Sequence, residues 1–282
     1  GNPIMGTEYL AGWMFLVLTI LLMAGFPVTF TLIGTAMIFG GVGAGWDFFE
    51  LLPMRIWGAM NNVVLIAVPL FVFMGVTLEK SGLAEELLET MGLVFRRVRG
   101  GLAIGTVVVG ALLGASTGIV GATVVTMGLL AVPTMLRHKY SPELTTGTVC
   151  ASGTLGQIIP PSIVLVLLGT IVHIPVGDLF MAALIPGLLL VLLYISYICI
   201  ITIIKPETAP IITINDGEHI GSELWKKVIR AMIMPLLLIV AVLGSIFAGI
   251  ASPTESASVG CVGAVVLAIW NRRFNFETLK QV

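Results

Sequence analysis

Apolar stretches near 10–26, 28–44, 63–78, 102–115, 118–136, 143–157, 160–174, 179–204, 228–250 and 254–270 follow one another along the chain, separated by short polar or glycine- and proline-bearing breaks. Those near 20 residues match a bilayer, because a helix rising 1.5 Å per residue needs about 20 residues to cross a hydrocarbon core of roughly 30 Å. The stretches 102–115, 143–157 and 160–174 are too short to span alone, so they are expected to be legs of re-entrant hairpins or halves of broken helices. Two amphipathic segments lie between them, Trp46–Asn62 and Leu83–Arg97. In the second, Leu83, Leu87, Leu88, Met91 and Val94 alternate with Glu85, Glu86, Glu89 and Arg96, a pattern that suits a helix on the membrane surface or an ordinary connecting helix equally well. Lys205–Lys227, with Pro206, Pro210, Asn215, Asp216 and Gly217, is the longest polar stretch and reads as a linker between two halves.

Composition narrows the class. The 282 residues are 57% hydrophobic and 10% charged, with a mean hydropathy of +1.09, far from an ordinary globular domain. Recurrent uncharged runs without period-two alternation predict an all-α polytopic membrane protein held in a lipid bilayer, not a barrel. A net charge of -1 leaves no footprint for nucleic acid. Cys150, Cys199 and Cys261 are isolated in apolar sequence and read as small fillers, with no disulfide or zinc spacing. Residues 1–4 precede Met5 and are expected to be a cloning remnant, and the first apolar run lacks the marks of a cleaved signal. Orientation follows from the basic residues. With the N-terminus outside, 102–136 entering and leaving one face, and 143–174 crossing as a broken helix, every lysine and arginine except Arg55 faces the cytoplasm. Trp13, Trp46, Trp57, Trp225 and Trp270 fall near the expected ends, as belt residues do.

Two polar breaks inside apolar sequence are the candidates for chemistry. The first, Gly114–Thr123 (GASTGIVGAT), falls at the tip of the expected hairpin, and the second is Gly153–Ser162 (GTLGQIIPPS). Proline removes a backbone donor and hydrocarbon cannot satisfy the freed carbonyls, so such breaks survive where protein or a water-filled cavity covers them. Small residues let backbones approach, and Ser116, Thr117, Thr123 and Thr154 supply neutral oxygens suited to a hard cation such as sodium. Pro160 or Pro161 is expected to open the second half-helix, whose amides favour an anion or a substrate dipole, while the preceding end at Gly156-Gln157 favours a cation. A proline kink packed by small residues is the structural alternative. Glu79, Glu143, Asp178, Glu255 and His173 sit at expected helix ends, leaving the core without the acids or histidine that proton-driven carriers use. Ser252–Ala257 reads as a helix start, with Ser252 or Thr254 as cap and Glu255 in the first turn.

PLFVFMGVTLEKSGLAEEL at 69–87, GASTGIVGAT at 114–123, ASGTLGQIIPPSI at 151–163, LFMAALIPGLL at 179–189 and GIASPTESASVG at 249–260 occur in one order along the chain. On these segments it resembles the large membrane subunit of the TRAP transporters, the tripartite ATP-independent periplasmic carriers. The resemblance implies the first inverted repeat of an elevator-type transporter and the start of the second. Scaffold and arm helices would occupy 5–99, the hairpin and broken helix of the transport domain 100–174, a scaffold helix and cytoplasmic linker 175–227, and the second repeat 228–282. It also implies a non-enzymatic, sodium-driven importer of carboxylates such as C4-dicarboxylates or sialic acid. Its partners would be a soluble periplasmic binding protein and a small four-helix membrane subunit, in a bacterial or archaeal inner membrane with the N-terminus periplasmic. Sodium would be held by Ser116, Thr117, Gly118, Gly153, Thr154 and Gly156, with Thr123, Gln157, Pro160, Pro161 and Ser162 beside the substrate. The tip STGIVGAT departs from the commoner SGSSAAT and is nearer the branch linked to mannitol or chloroaromatic acids. Val282 falls just after the second repeat begins, so its hairpin is expected to lie beyond this chain. Other readings are a sodium–dicarboxylate carrier without a binding protein, a structural membrane subunit, and an intramembrane hydrolase pairing Ser116 or Ser162 with His173.

Overall fold

The computed structural model describes residues 4–95, 98–211 and 222–271, and among these every regular element is helical. The chain divides into two compact units, Gly1–Asn62 and Val63–Val282.

In the first unit, α1 (Ile4–Met23) and α2 (Val28–Ala44) are joined at Gly25, whose φ of +85° suits glycine, and Pro27 immediately before α2. The rings of Phe48 and Phe49 from α3 (Asp47–Met60) lie directly over Gly40 and Gly41 of α2. No residue of α3 is buried.

The second unit begins with a 3-10 turn, Val63–Ile66, running into α4 (Ala67–Lys80). It continues through α5 (Leu83–Val94), α6 (Gly101–Thr117), α7 (Val120–Arg137), α8 (Pro142–Thr154), α9 (Ile163–Val172), α10 (Val176–Ile204), α11 (Ser222–Phe247) and α12 (Pro253–Trp270). Val63–Lys80, α7, α10 and α12 are long and apolar enough to cross a membrane. The second amphipathic segment buries its apolar face, Leu83, Ala84, Leu87 and Met91, in helix packing against α6 and α11. That packing is what a connecting helix requires.

Helices α6 and α7 form the hairpin. At its base, the Leu102 amide donates to the Tyr140 hydroxyl (3.3 Å) and the Ser141 amide to the Thr208 carbonyl (2.9 Å). The start of α6, the end of α7, the start of α8 and the end of α10 therefore share one end of the unit. Leu102 belongs to the first turn of α6, where the amides have no intrahelical partner, so Tyr140 caps that helix from outside. Burial pushes the Tyr140 phenol up, opposed by the Leu102 hydrogen bond. A raised value means that the fold favours the neutral phenol. That stabilisation is whole below the ordinary phenol value of about 10 and is lost as pH rises through the higher folded value. Tyr140→Phe is expected to cost about 1–3 kcal/mol by leaving a buried amide unpaired, measurable as a lower midpoint in thermal unfolding of the purified protein.

Helices α4 and α12 run side by side in the same direction. The Thr254 hydroxyl donates to the Val63 carbonyl (3.0 Å), and seven residues further along both helices the Cys261 thiol donates to the Leu70 carbonyl (3.0 Å). Ser256, Gly260, Ala264 and Ala268, four apart and buried, form the contact stripe of α12, and a Cβ on Gly260 would meet Met74 Sδ at 2.5 Å. Small residues at this spacing let two helix backbones approach closely. Cys261 packs there as a small buried filler, as expected, whereas Cys150 is exposed. Ser252 caps α12 in a capping box with Glu255: its hydroxyl accepts from the Glu255 amide, and the Glu255 carboxylate accepts from the Ser252 amide.

The helix interrupted after α8 differs from expectation in one detail. Residues 155–157 form a 3-10 turn, a cis Pro160-Pro161 bond follows, and α9 begins only at Ile163. Neither proline is its first residue. Ser162 caps α9 instead, its hydroxyl accepting from the Leu165 amide (3.4 Å) and donating to the Gln157 carbonyl (2.6 Å). Proline tolerates a helix start only by lacking a donor, whereas serine supplies an acceptor for an orphan amide, so the cap settles one residue beyond the pair.

Candidate functional site

The tip of the hairpin packs on the interrupted helix. Gly110 and Gly114 on α6 face Ser152 and Gly156, so two small-residue pairs at four-residue spacing let the backbones meet. A Cβ on Gly156 would lie 2.4 Å from both the Cα and the carbonyl oxygen of Gly114. Gly153 packs against Val124 of α7, and Gly118, which ends α6 in the left-handed region, lies against Ile163 at the start of α9. On another side α4 closes in, where a Cβ on Gly75 would stand 2.3 Å from Thr117 Cα and 2.7 Å from the Ser116 carbonyl oxygen. Sequence reasoning passed over Gly75, because a glycine in an apolar run carries no signal of what approaches it. The Gly110/Gly114 and Ser152/Gly156 spacings were the available clue.

Ser116, Thr117, Thr123 and Ser162 are buried. Ser116 donates to the Leu113 carbonyl (2.7 Å), Thr123 to the Ile119 carbonyl (2.8 Å), and the Thr117 and Thr123 hydroxyls lie 2.8 Å apart. Thr123 has one proton and directs it to Ile119, so Thr117 is the donor of that pair. The lone pairs of Ser116 and Thr117 are thereby left free to accept. The sites predicted in the broken helix divide. Pro160, Pro161 and Ser162 are buried with Gly153 and Gly156, whereas Thr154 and Gln157 are exposed, and the Thr154 hydroxyl turns back to the Ala151 carbonyl (2.8 Å).

Among the described residues no carboxylate or imidazole is buried; apart from Tyr140 and Cys261, every buried polar side chain is a serine or threonine. Glu79, near the end of α4, accepts a hydrogen bond from Thr126 on the second leg of the hairpin. His173 is exposed at the C-terminal end of α9, about 15 Å of helix from Ser162 at its start. The Ser116 and Ser162 hydroxyls point to carbonyls, so no serine–histidine pair forms. No group of three or more His, Cys, Asp or Glu residues that could hold a metal occurs among the described residues.

The model of the family "Tripartite ATP-independent periplasmic transporter, DctM component" matches residues 15–282. The C4-dicarboxylate TRAP transporter large permease protein DctM of Pseudomonas aeruginosa is 33% identical over 225 residues, which cover 79% of this chain and 51% of that protein. The ectoine TRAP transporter large permease protein TeaC of Halomonas elongata is 32% identical over 253 residues, 88% of this chain and 56% of its own length. The sialic acid TRAP transporter large permease protein SiaM of Vibrio cholerae is 30% identical over 254 residues, 88% and 56% respectively. The chain thus spans about half the length of these relatives, which are permeases and not enzymes. Its succession of apolar helices makes it a multi-pass membrane protein, and by the match over residues 15–282 it belongs to the DctM-component family of the tripartite ATP-independent periplasmic transporters.

Proposed function

We propose that this chain forms the first half of the transport machinery of a sodium-driven large permease that imports small organic acids. The observation that carries this is the polar content of the interior: hydroxyls with free lone pairs at the hairpin tip, and no buried carboxylate or imidazole among the described residues. A proton-coupled carrier needs an ionisable group in the membrane, whereas neutral oxygens suit sodium. The ion would be held by the Ser116 and Thr117 hydroxyls together with backbone carbonyls around Gly118, Gly153, Thr154 and Gly156. Thr154 would contribute its carbonyl, since its hydroxyl is turned away.

The amides at the start of α9 offer partial positive charge to an anionic solute. The C4-dicarboxylates, sialic acid and ectoine named for the relatives all carry carboxylate, which supports organic acids as the class. Thr123, Gln157, Pro160, Pro161 and Ser162 would flank that solute. A periplasmic binding protein would deliver it, a small four-helix subunit would brace the permease, and the N-terminus would face the periplasm of the inner membrane. The hairpin and broken helix at 100–174 would be the body that moves in an elevator step, against scaffold and arm helices at 5–99.

The test is solute uptake into proteoliposomes holding the full-length permease, its small subunit and its binding protein. Uptake is expected to require an inward sodium gradient and to cease when potassium replaces sodium. Uptake driven by a proton gradient in sodium-free buffer would disprove the coupling.

A further inference from the structure

A cavity of about 660 Å³ opens between α8 and α10, lined by residues separate from the hairpin tip. On α8 its lining takes Glu143, Gly147 and Ala151, one turn apart; on α10 it runs from Tyr194 through Ile198 and Ile201 to Lys205. The two helices are antiparallel here, so Glu143 at the start of α8 and Lys205 just after α10 lie at the same end, joined by the Ser141–Thr208 hydrogen bond. At 1.5 Å per residue the lining stretches are about 12–16 Å long. That is close to the depth of one leaflet, half of a hydrocarbon core of roughly 30 Å.

Both charges sit at the mouth, both are exposed, and neither side chain has a hydrogen bond or ion pair with any described residue. Beyond them the walls are mostly apolar, with Val107, Leu144, Ile198 and Ile201 in the lining. A Cβ built on Gly147 meets nothing within 4 Å, so the space above it is open.

We infer that this groove binds a phospholipid with a primary ammonium headgroup, its phosphate at Lys205, its ammonium at Glu143 and one acyl chain along α8 and α10. A lysine alone would accept any anionic lipid. The carboxylate beside it disfavours a headgroup without a cation and accepts hydrogen bonds from an ammonium, which a quaternary choline cannot donate. The apolar length selects a lipid over a soluble zwitterion, since only an acyl chain fills it.

Native mass spectrometry of the purified chain, equilibrated with phosphatidylethanolamine, phosphatidylcholine and phosphatidylglycerol of matched chains, tests this directly. Retained phosphatidylethanolamine is expected to exceed each of the others by about tenfold relative to the bath, as one charge-assisted hydrogen bond allows. Glu143→Gln should bring the ethanolamine-to-choline ratio close to one, and Lys205→Gln should lower retention of all three. Gly147→Leu, whose Cβ meets no neighbour within 4 Å and whose isobutyl group occupies the groove, should abolish retention while the circular dichroism stays unchanged. Soluble phosphoethanolamine in excess should not displace the bound lipid. Equal retention of the three lipids by the unmodified chain, or enrichment that survives Gly147→Leu, overturns the assignment. So does enrichment that is absent from the full-length permease, since protein would then fill the groove.

Discussion

Gly156→Ala is expected to abolish the stabilisation of the purified protein by sodium and to lower its stability by about 1–3 kcal/mol, as overpacking of a well-filled interior does. The new methyl group would lie 2.4 Å from the Gly114 Cα and carbonyl oxygen, and a Cβ on Gly114 would in turn meet the Gly156 amide nitrogen at 2.6 Å. Backbone stands on both sides, so no side chain can swing away and the tip must part from the broken helix. Gly75→Ala strikes the tip from α4, at Thr117 Cα, and is expected to act in the same direction. Gly147→Ala is the opposite case, because its Cβ meets nothing within 4 Å. In the interior of α8 it should stabilise by about 0.5–1 kcal/mol through helix propensity and reduced unfolded-state freedom. Thermal unfolding in sodium chloride and in choline chloride separates the two effects. A Gly156→Ala protein with unchanged stability and an intact sodium response would show that the close approach is not needed to form the site.

Thr117→Val is expected to raise the sodium concentration that gives half-maximal stabilisation by about tenfold, equivalent to about 1.4 kcal/mol. Ser116→Ala should act similarly. Both residues are buried, and both give their protons to protein acceptors, Ser116 to Leu113 and Thr117 to Thr123, which leaves their lone pairs to accept. Valine keeps the shape of threonine and removes only the hydroxyl, so a change in apparent sodium affinity without a large loss of stability isolates the oxygen. Thr123→Ser keeps the bond to the Ile119 carbonyl and should leave the affinity unchanged. Thr154→Ala should also change little, because that hydroxyl is exposed and turned back to Ala151. If Thr154→Ala weakened sodium binding while Thr117→Val did not, the ligands proposed at the hairpin tip would be the wrong ones.

Helix positions were legible because each reflects a local rule. The run at 28–44 coincides with α2, and the apolar run 254–270 became α12, which begins one residue earlier behind its Ser252 cap. The hairpin was legible for a different reason. Two legs joined by a glycine-rich tip left the basic residues on one face, and the structure brings the start of α6 and the end of α7 to one end. Less was readable at the break. Two consecutive prolines mark an interruption, but the choice between a proline start and a serine cap depends on where the Ser162 hydroxyl finds a carbonyl. Gly75 was illegible, since its role comes from the approach of a helix more than forty residues further along the chain.

By itself the sequence determined that this is a polytopic helical membrane protein, where its helices break, and which hydroxyls lie in those breaks. Hydrocarbon enforces these features residue by residue: it rejects unpaired backbone and charge wherever they occur, so apolar length and breaker residues report them directly. Only the tertiary structure decided which hydroxyl oxygens are free, that α4 backs the hairpin tip, and that Glu143 and Lys205 share one groove. Each of these depends on segments far apart in sequence meeting at interatomic distance, and helical periodicity carries no information about that.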